Sequence, residues 1–262
     1  MALADVSIGV AGTLGPEAIG RLAPVVERCG FRSLWVNDTP GGDSLKALSA
    51  AADATSRLTL ATGVIPMDRR HPDEVVDTVK QRELPEDRLV LGIGAGGTRS
   101  GALFLVGTAV AELHEGTSAR VLVGALGPKM RRLGAEQGDG VLLSWLTPEV
   151  AAEQASTARS LAEANGASGC HVALYVRTAL DPAADGRLAE EADRYAGYPA
   201  YAANFARLGI RAQDTVLDAF TFGDRIERYR EAVDEVVLRV IVPSDSVDDH
   251  LGFVETAADL LS

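Results

Sequence analysis

The chain has 262 residues, 47% of them apolar and 24% charged, which is enough for one globular unit with a large core. Its 25 Lys and Arg against 37 Asp and Glu leave a formal charge of −12, which argues against nucleic acid or an anionic membrane as partner. The N-terminus "MALADVSIGVAG" is too short and acidic for a signal peptide, and no long apolar run free of charge suggests a membrane span, so the expectation is a cytoplasmic protein.

In chain order, short apolar runs alternate with helix-like ones. Residues 6–12 ("VSIGVAG") read as a strand, and 16–30 as a helix with Ala18, Leu22, Val25, Val26 and Cys29 on one face and Gly30 ending it. A second strand at 33–38 leads to a helix over 43–56 with Asp43 as N-cap. A third at 58–66 leads to a helix over 71–84, with His71 as cap candidate and Pro72 at the first helical position. The fourth strand, 88–96, precedes a weaker helix around 101–116, and the fifth, 120–126, runs into a helix from Gly127. Strands at 140–146, 171–180 and 235–245 complete the set. Helices are read over 147–165, within 182–235 around the loop "GIRAQDT", and over 246–261. Cys29 and Cys170 lie in apolar runs outside any CxxC spacing and read as free thiols.

The strands are continuous apolar runs rather than alternating ones, as in a parallel sheet covered on both faces. Eight strand–helix units favour a (β/α)8 TIM barrel over a doubly wound open sheet, as a single domain spanning residues 1–262. In such a barrel function gathers at the C-terminal strand ends. These carry Gly12; Asn37, Asp38 and Thr39; Thr62, Gly63 and Val64; Gly94, Ala95, Gly96 and Gly97; Ala125, Leu126 and Gly127; Ser144 and Trp145; Arg177 and Thr178; Ser244 and Asp245. His71, His114, His171 and His250 fall elsewhere, and there is no HxH, HExxH or carboxylate cluster, so a metal hydrolase is disfavoured. Small residues at so many ends suit a flat ligand approached closely by backbone; they equally suit loop closure.

One stretch stands out in an acidic chain. In "GALGPKMRRLG", Gly127 permits close approach, Pro128 suits the first helical turn, and the amides of Lys129 and Met130 are left free at the positive end of the helix dipole. That is the arrangement of a phosphate site, with Lys129, Arg131 and Arg132 adding positive potential. A capped helix with a solvated basic face is the other reading.

The segments "GFRSLWVND", "ATSRLTLATGVIPMDRRHP", "RLVLGIGAG", "VLVGALGPKMRRLGAEQGDGVLLSWLTPE" and "YPAYAANFARLG" together resemble the luciferase-like monooxygenase superfamily, and within it the coenzyme F420-dependent oxidoreductases. The resemblance runs in order from about residue 6 to 245. It implies a barrel that binds a deazaflavin or flavin at the strand ends, with Ala125, Leu126, Gly127, Pro128, Lys129 and Met130 cradling the phosphate. It implies a bulge at Thr62, Gly63 and Val64 with a cis Gly63–Val64 peptide bond that sets Val64 against one ring face. Gly94, Ala95 and Gly96 would line the pocket, and Asp38, at a position near the ring in relatives, and Thr39 beside it are the catalytic candidates, holding the ring or donating to substrate, with Asp38 as a structural acceptor the other reading. A small-molecule substrate and a homodimer are implied as well.

Three departures qualify it. Thr39 stands where many relatives carry histidine, and Gly97 where the sugar-phosphate dehydrogenases of the family carry glutamate. Residues 97–119 are all that separate the fourth and fifth strands, a shortened form of an insertion that is longer in relatives. The reading that follows is hydride transfer between F420 and a small organic substrate, reduction of an activated double bond or imine fitting better than alcohol oxidation without a base. Arg177 could point into the barrel or its mouth, and Trp145 reads as core more readily than as ligand stack. An FMN-dependent monooxygenase with oxygen and a partner reductase (a flavin or F420 reductase) is the first alternative, and a non-catalytic cofactor-binding barrel the second.

Overall fold

The computed structural model describes residues 5–98, 100–167 and 169–262. Eight strands alternate with helices: β1 (Asp5–Ala11), α1 (Pro16–Arg28), β2 (Ser33–Asn37), α2 (Ser44–Ala54), β3 (Thr59–Pro66), α3 (Pro72–Gln81), β4 (Leu89–Gly94) and α4 (Ala102–Gly116). Then follow β5 (Arg120–Gly124), α5 (Pro128–Gln137), β6 (Gly140–Ser144), α6 (Pro148–Ala164) and β7 (His171–Thr178). After β7 come α7 (Asp185–Ala196), α8 (Pro199–Leu208), α9 (Phe222–Ala232), β8 (Glu235–Val240) and α10 (Val247–Leu261). All strands pair in parallel with their sequence neighbours, and β8 pairs with β1. The sheet is a closed barrel, the (β/α)8 fold, with no open edge.

Most of the apolar runs overshoot their strands. The run at 235–245, for example, ends as a strand at Val240, yet Ile241 and Val242 stay buried in the loop. Hydrophobicity marks burial, not pairing, so strand ends cannot be read from it. The α1 stripe is also rotated from the expected one: Ile19, Leu22, Ala23 and Val26 are buried, while Ala18, Val25 and Cys29 are only partly so. Asp43 caps α2 by accepting from the Lys46 amide at 3.0 Å, as its position suggests. His71 makes no such side-chain cap, and Pro72 alone opens α3. The region after β7 divides into α7, α8, a 3-10 turn at Ala212–Thr215, and α9. The break between α7 and α8 falls at Gly197 and Tyr198, ahead of Pro199 at the first position of α8. Both cysteines are free thiols, Cys170 buried and Cys29 partly buried.

The main core lies between the strands' outer faces and the helix layer. A second cluster fills the barrel: Trp35, Ala61, Val90, Leu122, Leu142, Ala173, Tyr175 and Val237, one or two from each of β2 to β8. At its N-terminal end the charged side chain of Glu235 is almost wholly buried. Ser7 Oγ and Trp35 Nε1 donate to its Oε1 at 2.6 and 2.7 Å, and His171 Nε2 meets its Oε2 at 2.8 Å. Burial works to raise the Glu235 pKa, but the His171 bond and charge and the two neutral donors outweigh it and pull the carboxyl down to about 2.

Because that folded-state value lies below the ordinary 4.5, ionised Glu235 stabilises the fold above about pH 4.5, and the contribution is lost as pH falls toward 2. Glu235→Ala, which strands Trp35 Nε1 and Ser7 Oγ, should lower unfolding free energy by roughly 3 kcal/mol at neutral pH. Urea unfolding at a series of pH values checks this: the gap between variant and wild type should close on acidification through that window.

Candidate functional site

Alternation along each strand carries the barrel filling upward to a final ring of residues at the C-terminal mouth. Two positions above Trp35 stands Asn37; above Leu122, Gly124; above Leu142, Ser144; above Tyr175, Arg177; above Val237, Arg239. Tyr175 forms the floor. Its ring meets Trp35 edge-on at 5.9 Å, and its hydroxyl lies against Gly63, so the barrel is filled beneath the mouth.

One wall of the mouth is made of backbone. The pairing of β3 with β4 shifts register between Gly63 and Ile65, and the Gly63–Val64 peptide bond is cis. The bulge seats Val64 on two α-carbons. A Cβ on Gly94 would lie 2.9 Å from Val64 Cγ2, and one on Gly124 would lie 2.8 Å from Val64 Cγ1, so neither position takes a side chain without displacing Val64. Asn37 Nδ2 donates to the Gly63 carbonyl, leaving Asn37 Oδ1 buried without a protein partner; Thr39 Oγ1 is in the same condition. These two oxygens give the β2 side of the mouth a buried polar lining without protein partners.

Other residues singled out in the sequence are used locally. The Asp38 carboxylate accepts from Ser44 N and Oγ at 3.2 and 2.9 Å and pairs with Arg69 and Arg70, both at 3.5 Å. Thr62 Oγ1 donates to the Gly92 carbonyl inside the barrel wall. Ala95 is partly buried next to Gly94. Gly96 has φ +63 and a Cβ there would overlap the Asp68 carboxylate, which accepts the Gly97 amide at 2.8 Å; the local turn explains these glycines. At the fifth strand end Ala125 is buried and donates its amide to Leu142, while Leu126 is partly buried. Gly127 is the N-cap of α5 with no side-chain cap, a Cβ on it would meet nothing within 4 Å, and Pro128 and Lys129 are exposed with Met130 partly so.

The opposite wall, on β7 and β8, is made of side chains. Arg177 and Arg239 are register partners and both belong to the inner ring. Arg177 lies over Trp145 at 4.1 Å and Tyr195 at 4.9 Å, donates from Nη1 to Ser144 Oγ at 2.5 Å, and pairs through Nε with Glu191 at 3.2 Å. Trp145, at φ +60, is buried against Tyr195 and Phe205, a core residue with left-handed backbone. Burial works to raise the Glu191 pKa, and the guanidiniums of Arg177, Arg239 and Arg194 outweigh it, keeping the carboxylate ionised. Burial, opposed by Glu191, lowers that of Arg239, whose Nη1 donates to the Val240 carbonyl at 2.6 Å.

A cleft of roughly 350 Å3 opens on this side, among Ala11, Arg239, Ile241, Glu191, Asp245 and His250. His250 thus corrects the sequence reading, which set every histidine away from the mouth: the first turn of α10 carries it there. Its Nδ1 lies 2.7 Å from the Ser246 carbonyl, and burial lowers its pKa, so the ring is neutral near pH 7 with Nε2 left as acceptor. Arg239 and Glu191 were also missed. An arginine at period two from Val237, in a strand otherwise apolar after Glu235, was the available signal for the first; Glu191 comes from a helix and had none. Among the described residues no group of three His, Cys, Asp or Glu could hold a metal ion, and no helix is long and apolar enough to cross a membrane.

A family model described as luciferase-like monooxygenase matches residues 2–104 and 98–248. The chain belongs to the luciferase-like monooxygenase family. Members of this family are oxidoreductases that depend on a flavin or on F420. The two matched segments overlap at residues 98–104, in the β4–α4 loop and the first turn of α4. No curated protein matches by sequence. Among solved structures, monooxygenase RslO1 from Streptomyces bottropensis is similar at TM-score 0.75 and 19% identity over 98% of each chain. An F420-dependent secondary alcohol dehydrogenase in complex with an F420–acetone adduct is similar at 0.75 and 17%, over 99% of this chain and 98% of that one. The oxygenating constituent of 3,6-diketocamphane monooxygenase from Pseudomonas putida, in complex with FMN, is similar at 0.70 and 13%, over 100% and 97%. At these identities the likeness is one of fold.

The luciferase-like barrel should depend on the Arg177 stack. Arg177→Lys keeps the charge but gives up the planar contact with Trp145 and Tyr195 and one donor, and should cost about 1–2 kcal/mol by denaturant unfolding. Gly96→Ala, forced into left-handed backbone against Asp68, should likewise lower the melting temperature.

Proposed function

We propose that the chain is a coenzyme F420-dependent oxidoreductase that transfers a hydride between the deazaflavin and a small organic substrate. The observation that carries this reading is the pairing, at one mouth, of a side-chain-free seat for Val64 with an open, uncapped helix N-terminus at Gly127. The first suits one face of a planar tricycle; the second suits its phosphate. When bound, the deazaflavin supplies a two-electron hydride carrier at its C5 carbon. The residues present fit such a group: Gly94 and Gly124 leave room only for Val64 and what rests on it, and Asn37 Oδ1 and Thr39 Oγ1 offer unpaired polar atoms at the β2 end.

The protein's part is alignment and exclusion of water. Val64 would hold one ring face, leaving the other to the substrate. The Tyr175 floor closes the barrel below. The cleft along Arg239 and Ile241 would take the substrate. Burial pushes the Tyr175 hydroxyl up and Glu191 is kept ionised, so neither exchanges a proton near neutral pH. This supports transfer to an activated double bond or imine, with the compensating proton exchanged with solvent at the mouth in either direction. A homodimer belongs to this reading, and size-exclusion chromatography with light scattering checks it.

The test is a titration of the apoprotein with F420 and with FMN, followed by turnover on enoates, imines and alcohols. Tighter F420 binding with hydride transfer supports the reading. Tighter FMN binding with oxygen-dependent turnover would replace it by the monooxygenase, and bound F420 that no substrate oxidises or reduces by a non-catalytic barrel. The Cβ of Gly127→Val would meet no protein atom within 4 Å, so this variant should leave the melting temperature nearly unchanged, yet weaken cofactor binding about tenfold or more.

A further inference from the structure

Of the cations after Gly127–Pro128, Lys129 is exposed, Arg131 donates to Gln154 Oε1 at 2.7 Å and Arg132 pairs with Glu136 at 3.5 Å. A cation with open donors lies instead across the mouth, in the cleft between β8, α7 and α10. The walls of that cleft carry as many arginines as carboxylates, but they are not paired alike. Arg187 donates to Asp245 at 2.7 Å and to the Val242 carbonyl at 2.8 Å. Glu191 is shared by Arg177 at 3.2 Å and Arg194 at 3.5 Å. Glu190 is exposed, where solvent screens it. Arg239 is only partly exposed and belongs to the inner ring of the barrel. Among the described residues no carboxylate comes within 4 Å of its guanidinium, and its one hydrogen bond runs from Nη1 to the Val240 carbonyl at 2.6 Å.

The strand beside it leaves room. Arg239 is in register with Gly9 of β1, and Ala11 stands two positions further along the same face. A Cβ on Gly9 would lie 2.9 Å from both Tyr175 and Val237, so β1 presents nothing larger than the Ala11 methyl next to the guanidinium. The cleft runs past that methyl and the end of β8 at residues 240–242. Its roughly 350 Å3 suits a small molecule with one charged end. The charge of that end follows from the walls. Arg239 keeps Nε and Nη2, two parallel donors on one edge, which match the two oxygens of a carboxylate. A cation would be repelled by Arg239, and a phosphate dianion would leave excess negative charge between Glu190 and Glu191. A single carboxylate satisfies the open donors and balances the unpaired charge.

We propose that Arg239 is the specificity-determining residue of the cleft and that the substrate is a small monocarboxylate, held by its carboxylate on the Nε–Nη2 edge. As a statement about substrate, the proposal rests on the hydride-transfer reading above; the double bond or imine named there then lies next to the carboxylate. For an enoate, hydride from the reduced cofactor goes to the β-carbon and a solvent proton to the α-carbon, so the double bond becomes single as the cofactor is oxidised. Negative charge that develops on the carboxylate as the hydride arrives is stabilised by the same guanidinium.

The experiment measures affinity, by ligand-detected NMR on the apoprotein, for crotonate, for crotonamide as its neutral counterpart, and for inorganic phosphate. Wild type should bind crotonate about tenfold or more tightly than either of the others. Arg239→Met, which replaces an unpaired and largely buried charge by an apolar chain, should leave the melting temperature nearly unchanged and abolish the preference for crotonate over crotonamide. Glu190→Gln, at an exposed position on which folding does not depend, removes a repelling charge and should tighten crotonate by about twofold at low salt without changing crotonamide. Equal affinity of wild type for crotonate and crotonamide, phosphate bound as tightly as crotonate, a preference retained in Arg239→Met, or crotonate affinity unmoved in Glu190→Gln overturns the site. If wild type binds F420 and any of these is seen, the site falls and the proposed function stands. If crotonate is held through Arg239 and F420 is not bound at all, the proposed function falls and the carboxylate site stands.

Discussion

Closure of eight parallel strands points every second side chain at a common axis, and that axis has to be filled. The filling here is uneven. Trp35 and Tyr175 occupy the middle, a buried carboxylate gathers Ser7, Trp35 and His171 at the N-terminal end, and the C-terminal end is left to small residues on one side and arginines on the other. Each layer follows from the one beneath by a step of two residues along the strand. The mouth is therefore a product of the barrel's interior packing, and its shape is set before any loop is considered.

The charges at that mouth are arranged to be kept. Arg177 spends its donors on Ser144 and Glu191 and its faces on Trp145 and Tyr195. Glu191 in turn serves Arg177 and Arg194 and, at longer range, Arg239. An arginine held on all sides is a poor proton donor and a good fixed charge. A site built this way positions and polarises a ligand rather than exchanging protons with it, which agrees with a reaction whose chemistry resides in a cofactor.

The barrel was legible because its strands are unbroken apolar runs separated by amphipathic ones, and because Gly30, Asp43 and Pro72 punctuate them at the right places. Strand ends were not, since residues such as Ile241 and Val242 are buried without pairing. The small-residue wall could be seen in "LGIGAG" and "GALGP", but the reason for Gly94 and Gly124, a common seat for Val64, requires three strands to be side by side. Arg239 needed the register with Arg177, far away in the chain. His250 and Glu191 arrive from helices, for whose packing a single sequence gives no signal.

The seating of Val64 on two bare α-carbons has a consequence for how this barrel can diversify. A methyl group added at Gly94 or Gly124 collides at once, so three adjacent strands are locked together as one rigid surface and tolerate little drift. The facing strands present only side chains, each exchangeable without moving backbone. Variation among descendants of this protein would accumulate at Arg239, Ile241 and their neighbours, while the half built on Val64, Gly94 and Gly124 stays as it is.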